Sequence, residues 1–229
     1  DAASIVRAEG LCSPEPAAFA ALRDETREIW PGGAHMVSGA QQGLLLHTLV
    51  RLSRAARVLE VGCFTGYATL WMALGLAEGG TLLSLERDDR CAAVAQRHLD
   101  LSGVGDRVEL RVGDALHSLE ALADHAAVRQ GKEPGTEGDA AGPFDVVVWH
   151  CGRSQTDCED APRKLLDSVL GCVSPNGVLV LSQPPPSQQA GAGDVICGAV
   201  ASDPALCVVT LPSPDGDGAM LSLISRSVV

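Results

Sequence analysis

From Pro16 to Glu28 the apolar positions recur at helical spacing: Phe19, Leu22 and Thr26 share one face, with Arg and Glu on the other. Pro31-Gly32-Gly33 ends that helix. The segment Met36 to Gly43 leads into a second predicted helix, Leu44–Arg54. Beyond it, short β-rich runs alternate with helical stretches. Strands are predicted over Arg57–Val61, Thr81–Leu85 and Val108–Val112, and helices over Ala68–Ala77, Asp89–Leu101 and Leu116–Ala127. Phe144–Trp149 is apolar except at Asp145, the pattern of a central strand. A helix over Ala161–Cys172, a turn at Ser174-Pro175-Asn176-Gly177, a strand over Val178–Leu181 and a last helix over Gly193–Ala201 follow. Val208–Leu211 and Met220–Ile224, joined by Pro214-Asp215-Gly216-Asp217-Gly218, read as a hairpin. This alternation predicts an α/β fold with a mostly parallel, doubly wound sheet. Residues 130–143 lack periodicity and read as a flexible surface loop. No repeat or heptad interrupts the pattern, so residues 1–229 read as a single domain.

Charge and composition narrow the partners. With 29 Asp and Glu against 17 Lys and Arg, the formal net charge is -12. Nucleic acid needs a basic face, so it is not an expected partner. Aromatics make up only 3% of residues, too few for a stacking platform. No apolar run approaches the ~18 residues of a membrane span, so no membrane partner is expected either. The eight cysteines include no C-x-x-C pair, which disfavours a zinc ribbon or a thioredoxin-like site. They read as small core hydrophobes, Cys207 before Val208-Val209 among them, in a reducing, cytoplasmic compartment. The chain starts at Asp1 with no basic-then-apolar leader. Its missing Met points to a trimmed or processed start and leaves organellar targeting open.

The first strand runs into a glycine turn, Val58-Leu59-Glu60-Val61-Gly62-Cys63-Phe64-Thr65-Gly66-Tyr67. Glycine there permits positive φ and a close backbone approach to a ligand. The spacing Glu60-x-Gly62-x-x-x-Gly66 departs from the G-x-G-x-x-G of dinucleotide binding. It points instead to S-adenosylmethionine. Glu86 ends the second strand, where a carboxylate can accept two hydrogen bonds from a ribose cis-diol, and Arg87 follows it. Gly113-Asp114-Ala115 ends the third, where Asp114 is placed to receive the exocyclic amine of adenine. All three lie at carboxyl ends of parallel strands, where open α/β sheets bind ligands.

From about Phe19 onward the chain resembles the caffeoyl-CoA and catechol O-methyltransferase family. Leu59 to Tyr67 is close to that family's "LE(I/V)GTFTGYS", and Phe144-Asp145-Val146-Val147 to its "FD(F/L)V". Pro31 to Ser38, continuing through Gln42 to Leu45, resembles its lead-in over the cofactor. Leu211-Pro212 with the following Asp-Gly pairs resembles its terminal hairpin. The resemblance implies a Rossmann-like sheet of seven strands, the last antiparallel, with helices on both faces. It implies that residues 1–56 form N-terminal helices and a cofactor lid. It places Met36, Ser38, Glu60, Gly62, Phe64, Gly66, Ala68, Glu86, Arg87, Asp114, Ala115 and His150 around S-adenosylmethionine, whose product is S-adenosylhomocysteine. It also implies a homodimer through the N-terminal helices, for which the run Leu44-Leu45-Leu46 is the sequence's own weak hint.

The chain departs from this pattern at the chemistry. The family holds a divalent cation, usually magnesium, with an Asp after the fourth strand and an Asp-Asn pair after the fifth. A lysine three residues beyond the first Asp is its base. Here His150 replaces that Asp, Arg153 replaces the lysine, and Ser182-Gln183 replaces Asp-Asn. Hard dications want carboxylate oxygens, so no metal is expected. Arginine stays protonated, so Arg153 is expected to hold an acidic substrate or a developing phenolate. His150 is the expected general base, since imidazole exchanges protons near neutrality. Its plainer reading is an inert, hydrogen-bonded residue at a strand end. Trp149 reads as core or as a neighbour of adenine, and Pro184-Pro185-Pro186 as a stiffened loop over the site. Two functions stay open. One is a metal-independent O-methyltransferase acting on a small hydroxylated acceptor. The other is a catalytically silent member serving as a binding or regulatory module. An NAD-dependent oxidoreductase is the third reading, opposed by the glycine spacing.

Overall fold

A computed structural model of the chain describes residues 12–128, 143–151, 161–183, 192–215 and 219–226. Arg153, the three prolines at 184–186 and all but Pro143 of the expected loop lie outside the described residues. The strands are β1 (Arg57–Val61), β2 (Thr81–Glu86), β3 (Val108–Val112), β4 (Phe144–His150), β5 (Val173–Gln183), β6 (Leu206–Pro212) and β7 (Met220–Arg226). The helices are α1 (Ala17–Ile29), α2 (Ala40–Leu52), α3 (Tyr67–Gly75), α4 (Asp89–Leu101), α5 (Ala115–Val128), α6 (Ala161–Cys172) and α7 (Ala192–Ala201).

One seven-stranded sheet runs in the order β3-β2-β1-β4-β5-β7-β6. Strands β1 to β5 are parallel, and β7 is antiparallel to both β5 and β6. This is the doubly wound architecture that the alternation predicts. Each central strand is buried on both sides, which explains the nearly unbroken Val and Leu runs. Val58, Val146, Val148 and Val180 face a cluster with Phe19, Leu22, Leu46, Leu70, Met72 and Leu99 from α1 to α4. Leu59, Val61, Val147 and Trp149 face the opposite cluster, with Leu119, Leu165, Leu166 and Ile196 from α5 to α7. Trp149 is therefore core.

The Asp of the Phe144-Asp145 pair has a structural task. Its Oδ2 accepts from the N–H groups of Ala56 and Arg57 at 2.8 and 3.0 Å, which fixes the start of β1 beside β4. Helices α2 and α3 cross at Gly43, where an added Cβ would lie 2.2 Å from the Trp71 ring.

Two expectations change. The segment Ser174 to Gly177 does not precede a strand but bulges within β5. Phe144 pairs with Val173 and Val146 with Val178, so the intervening residues have no place in the ladder. Like Cys12, Cys207 is exposed, unlike the buried Cys63, Cys91 and Cys172. It lies on β6, the outermost strand, where Leu206 and Val208 turn inward and the alternate position turns out.

Helix α1 is fastened to α4 through Glu25, which pairs with Arg97 and, at 2.7 Å, with His98 Nε2. Hydrogen bonds from Arg97 and then His98 hold the Glu25 carboxyl below its ordinary value of 4.5. The unfolded chain therefore binds this proton more readily than the folded one. The bridge stabilises above the ordinary carboxyl range, and its contribution is lost as pH falls through the depressed folded value. Glu25→Gln is expected to lower the urea midpoint at about pH 7 and to match the parent protein at about pH 2, as measured by denaturation across pH.

Candidate cofactor and acceptor site

The turn after β1 is built from left-handed residues. Gly62, Phe64 and Gly66 have φ of 85°, 52° and 85°. Gly62 N–H donates to Leu85 O at 2.8 Å, tying the turn to β2. At Gly66, which starts α3, an added Cβ would lie 2.6 Å from the Ala95 Cβ of α4. Phe64 is the unusual member, because a non-glycine residue in this region costs roughly 1–2 kcal/mol. Its N–H donates to Glu86 Oε2 at 2.8 Å. Glu86 Oε1 accepts from the N–H groups of Arg87 and Asp88, at 2.8 and 3.0 Å. A carboxylate offers about four acceptor positions. A diol bound through both hydroxyls would thus require one of these N–H groups to give way.

The neighbouring strand ends are joined to this turn. Gly113 N–H donates to Glu86 O at 2.9 Å, bringing Asp114 and Ala115 alongside β2. Asp114 is exposed, and its Oδ1 accepts from His117 N–H at 2.9 Å, capping α5. Asp88 caps α4 in the same way, and its bond from the Arg90 guanidinium lowers its carboxyl to about 2. Ala68 is buried in the first turn of α3. Arg87 contributes its N–H to Glu86, and its side chain is exposed. Met36 is exposed, yet its Cε lies on Gly33, whose other neighbours are the Phe64 ring and Trp30 Cβ. Ser38 is half-buried just before α2, and among the described residues it bonds none of the others.

A second set of polar groups sits deeper on the α1–α4 face of the sheet. Glu60 is fully buried. Its Oε2 accepts from Thr69 Oγ1 at 2.6 Å and from Ser84 Oγ at 2.8 Å, and its Oε1 lies 3.2 Å from His150 Nε2. His150 and Ser182 are register neighbours on β4 and β5. Ser182 Oγ accepts from Gln42 Nε2 of α2 at 2.9 Å. Thr69 and Ser84 are not legible as site residues from the sequence, and Gln42 only as part of the lead-in segment. The available signal was a polar residue inside an apolar run, as at Ser84 in Leu82-Leu83-Ser84-Leu85.

The three positions where the resemblance implies metal ligands do not suit a hard dication. Ser182 and Gln183 are consecutive on a strand and point to opposite faces. Gln183 Nε2 turns to Ser222 Oγ at 3.4 Å, away from His150. Among the described residues, no group of three or more His, Cys, Asp or Glu side chains is placed to hold a metal ion. Neither Cys63 nor Cys91 offers a ready nucleophile. Burial raises Cys63, and it raises Cys91 to about 12.

The loop after β6 reaches back to this site. The carboxylate oxygens of Asp215 accept from the N–H groups of Gln41 and Gln42, each at 3.0 Å, at the start of α2. Gly39 leaves the room for it: an added Cβ would overlap the Asp215 carboxyl at 1.9 Å. Asp215 thus holds the backbone of Gln42, whose side chain bonds Ser182.

Comparison with known proteins gives this geometry a context. Residues 9–130, just over half of the chain, match the profile of a family described as O-methyltransferase. A catechol O-methyltransferase of Niastella koreensis is 34% identical over 128 residues, which are 56% of this chain and 52% of that protein. One of Mycobacterium tuberculosis is 36% identical over 137 residues, 60% of this chain and 53% of that protein. The match therefore spans about half the length of these curated relatives. Among solved structures, the O-methyltransferase TomG of Streptomyces achromogenes, in complex with SAM, superposes with a TM-score of 0.75 at 26% identity, covering 98% of this chain and 96% of that one. An O-methyltransferase of Bacillus cereus in complex with SAH gives 0.75 at 21% identity, over 98% and 97% of the two chains, a likeness of fold.

Removing the Asp215 cap should be felt locally. Asp215→Ala is expected to cost about 1 kcal/mol in urea denaturation and to speed hydrogen exchange at the Gln41 and Gln42 amides.

Proposed function

The chain belongs to the O-methyltransferase family, and from that premise we propose that it is an S-adenosylmethionine-dependent O-methyltransferase acting on a small hydroxylated acceptor without a divalent cation. The observation that carries the reading is the pairing of buried Glu60 with His150 at the carboxyl edge of the sheet.

The turn Gly62–Gly66 fits the cofactor because it is left-handed at three positions at the carboxyl end of β1, and Glu86 is aimed by backbone donors beside it. Gly62, Phe64, Gly66 and Ala68 would border the cofactor, Glu86 and Arg87 its ribose, and Asp114 and Ala115 its adenine. Met36 and Ser38 would lie over it. Bound there, the cofactor supplies an electrophilic methyl group on a sulfonium. TomG, a solved relative in complex with SAM, supports the choice of cofactor.

The chain's own part is to orient and deprotonate the acceptor. With Nε2–H directed at Glu60, the neutral imidazole of His150 carries its lone pair on Nδ1. That nitrogen takes the proton of the acceptor hydroxyl, and the buried carboxylate stabilises the imidazolium that forms. Ser182, held by Gln42, presents an oxygen on the same face. Arg153 is assigned the acceptor's negative charge. No step uses a metal, because the donors present do not suit one. A second reading, a silent binding or regulatory module, draws on the same internal bonds, which occupy the side chains of Ser182 and Gln183.

Turnover of hydroxylated acceptors is expected to survive a chelator. His150→Ala should lower kcat by about 10²- to 10⁴-fold, a larger effect than its weakening of S-adenosylhomocysteine binding. A requirement for magnesium would remove the metal-free mechanism. Cofactor binding with no turnover across a panel of phenols and alcohols would favour the silent module.

A further inference from the structure

Helix α1 lies along the back of the cofactor turn, in register with it. Arg23 and Thr26 fall at i and i+3 on one face of α1, and Trp30 is the residue that ends the helix. They meet the turn in reverse order. Arg23 Nη2 donates to the Tyr67 hydroxyl at 2.6 Å, and its guanidinium lies 4.8 Å from the centre of that ring. The hydroxyls of Thr26 and Thr65 are 2.8 Å apart. The Trp30 ring meets the Phe64 ring edge-on, with centroids 5.8 Å apart. Glu15 closes the outer end by binding both Arg23 and the Tyr67 hydroxyl.

The central contact is directional. Thr26 Oγ1 also lies 2.8 Å from Leu22 O, and a hydroxyl carries a single proton. Both contacts are satisfied when Thr26 donates to Leu22 O and Thr65 donates to Thr26. Both threonines are buried, so water cannot replace either bond. Thr65 is thereby held between Phe64 and Gly66, two left-handed residues. A glycine-flanked turn without such support would have to be ordered by its ligand, at the expense of affinity.

We propose that α1 is a positioning element for the cofactor: Thr26 and Trp30 set the shape of Gly62–Gly66 by acting through Thr65 and Phe64. The proposal rests on the cofactor reading above. Because coupling is reciprocal, a cofactor that selects this shape must also tighten the docking of α1.

The test uses S-adenosylhomocysteine and the whole chain. Thr26→Val, which keeps the shape and removes the hydroxyl, is expected to raise its Kd about tenfold by calorimetry, and Thr26→Ser to restore it to within about twofold. Trp30→Leu, at a half-buried position that tolerates change, should weaken binding several-fold and decides the matter if Thr26→Val does not fold. The effect should fall on KM for the cofactor, with kcat at saturation nearly unchanged. Adding S-adenosylhomocysteine should increase the hydrogen-exchange protection of α1. Variants that lose thermal stability yet bind like the parent, or α1 amides indifferent to the ligand, would overturn the proposal. A parent protein that does not bind S-adenosylhomocysteine would instead bring down the cofactor reading, and this inference with it.

Discussion

A carboxylate with no access to water sits in the middle of the sheet, and the carboxyl edge is organised around it. Burying Glu60 costs several kcal/mol unless its oxygens find donors. Those donors come from three different elements: Thr69 on α3, Ser84 on β2 and His150 on β4. Each donor is fixed in turn by its own packing, so the carboxylate ties a helix and two strands to the end of β1. A shift of any of them by an ångström would remove one of the carboxylate's three partners in the core. That is a stiffer constraint than apolar contacts impose, because apolar side chains repack at modest cost.

The two halves of the chain stand in different relations to the family. The profile match ends at residue 130, whereas the solved structure of TomG superposes on nearly the whole chain. The first half works through backbone geometry: a left-handed turn, strand ends and helix starts. Such geometry demands particular glycines and particular acids, so its sequence stays recognisable. The second half keeps β4, β5 and the closing pair β7 and β6, which need only a pattern of apolar residues. The side chains proposed for its chemistry stand at strand ends, where a substitution need not disturb the sheet.

This division also decides what could be read in advance. The strands were legible because Val and Leu runs bounded by glycine have few other uses. The cofactor turn was legible because Gly62 and Gly66 stand where only glycine is comfortable. The bulge at Ser174–Gly177 was not, since Pro175 and Asn176 make the same local text for a turn and for a bulge; only the pairing with β4 separates them. Cys207 looked buried because its neighbours are apolar, but β6 is an edge, and sequence does not say which strand is outermost. Asp114 and Asp215 cap helices, one beside itself and one far away in sequence. The bonds Gln42–Ser182 and Thr26–Thr65 join hydroxyls and an amide across 140 and 39 positions, where no local pattern exists to betray them.

The placement of β7 has a consequence for how the molecule comes into being. It lies between β5 and β6, yet it follows every other strand in sequence. As a chain emerges from the ribosome, β1 to β4 can pair and the cofactor turn can close while β5 still presents a bare ladder edge. That edge carries Ser182 at its end. Bare edges recruit strands from other molecules. The wall on which an acceptor would rest is thus the last to be finished and, during synthesis, the most exposed to aggregation.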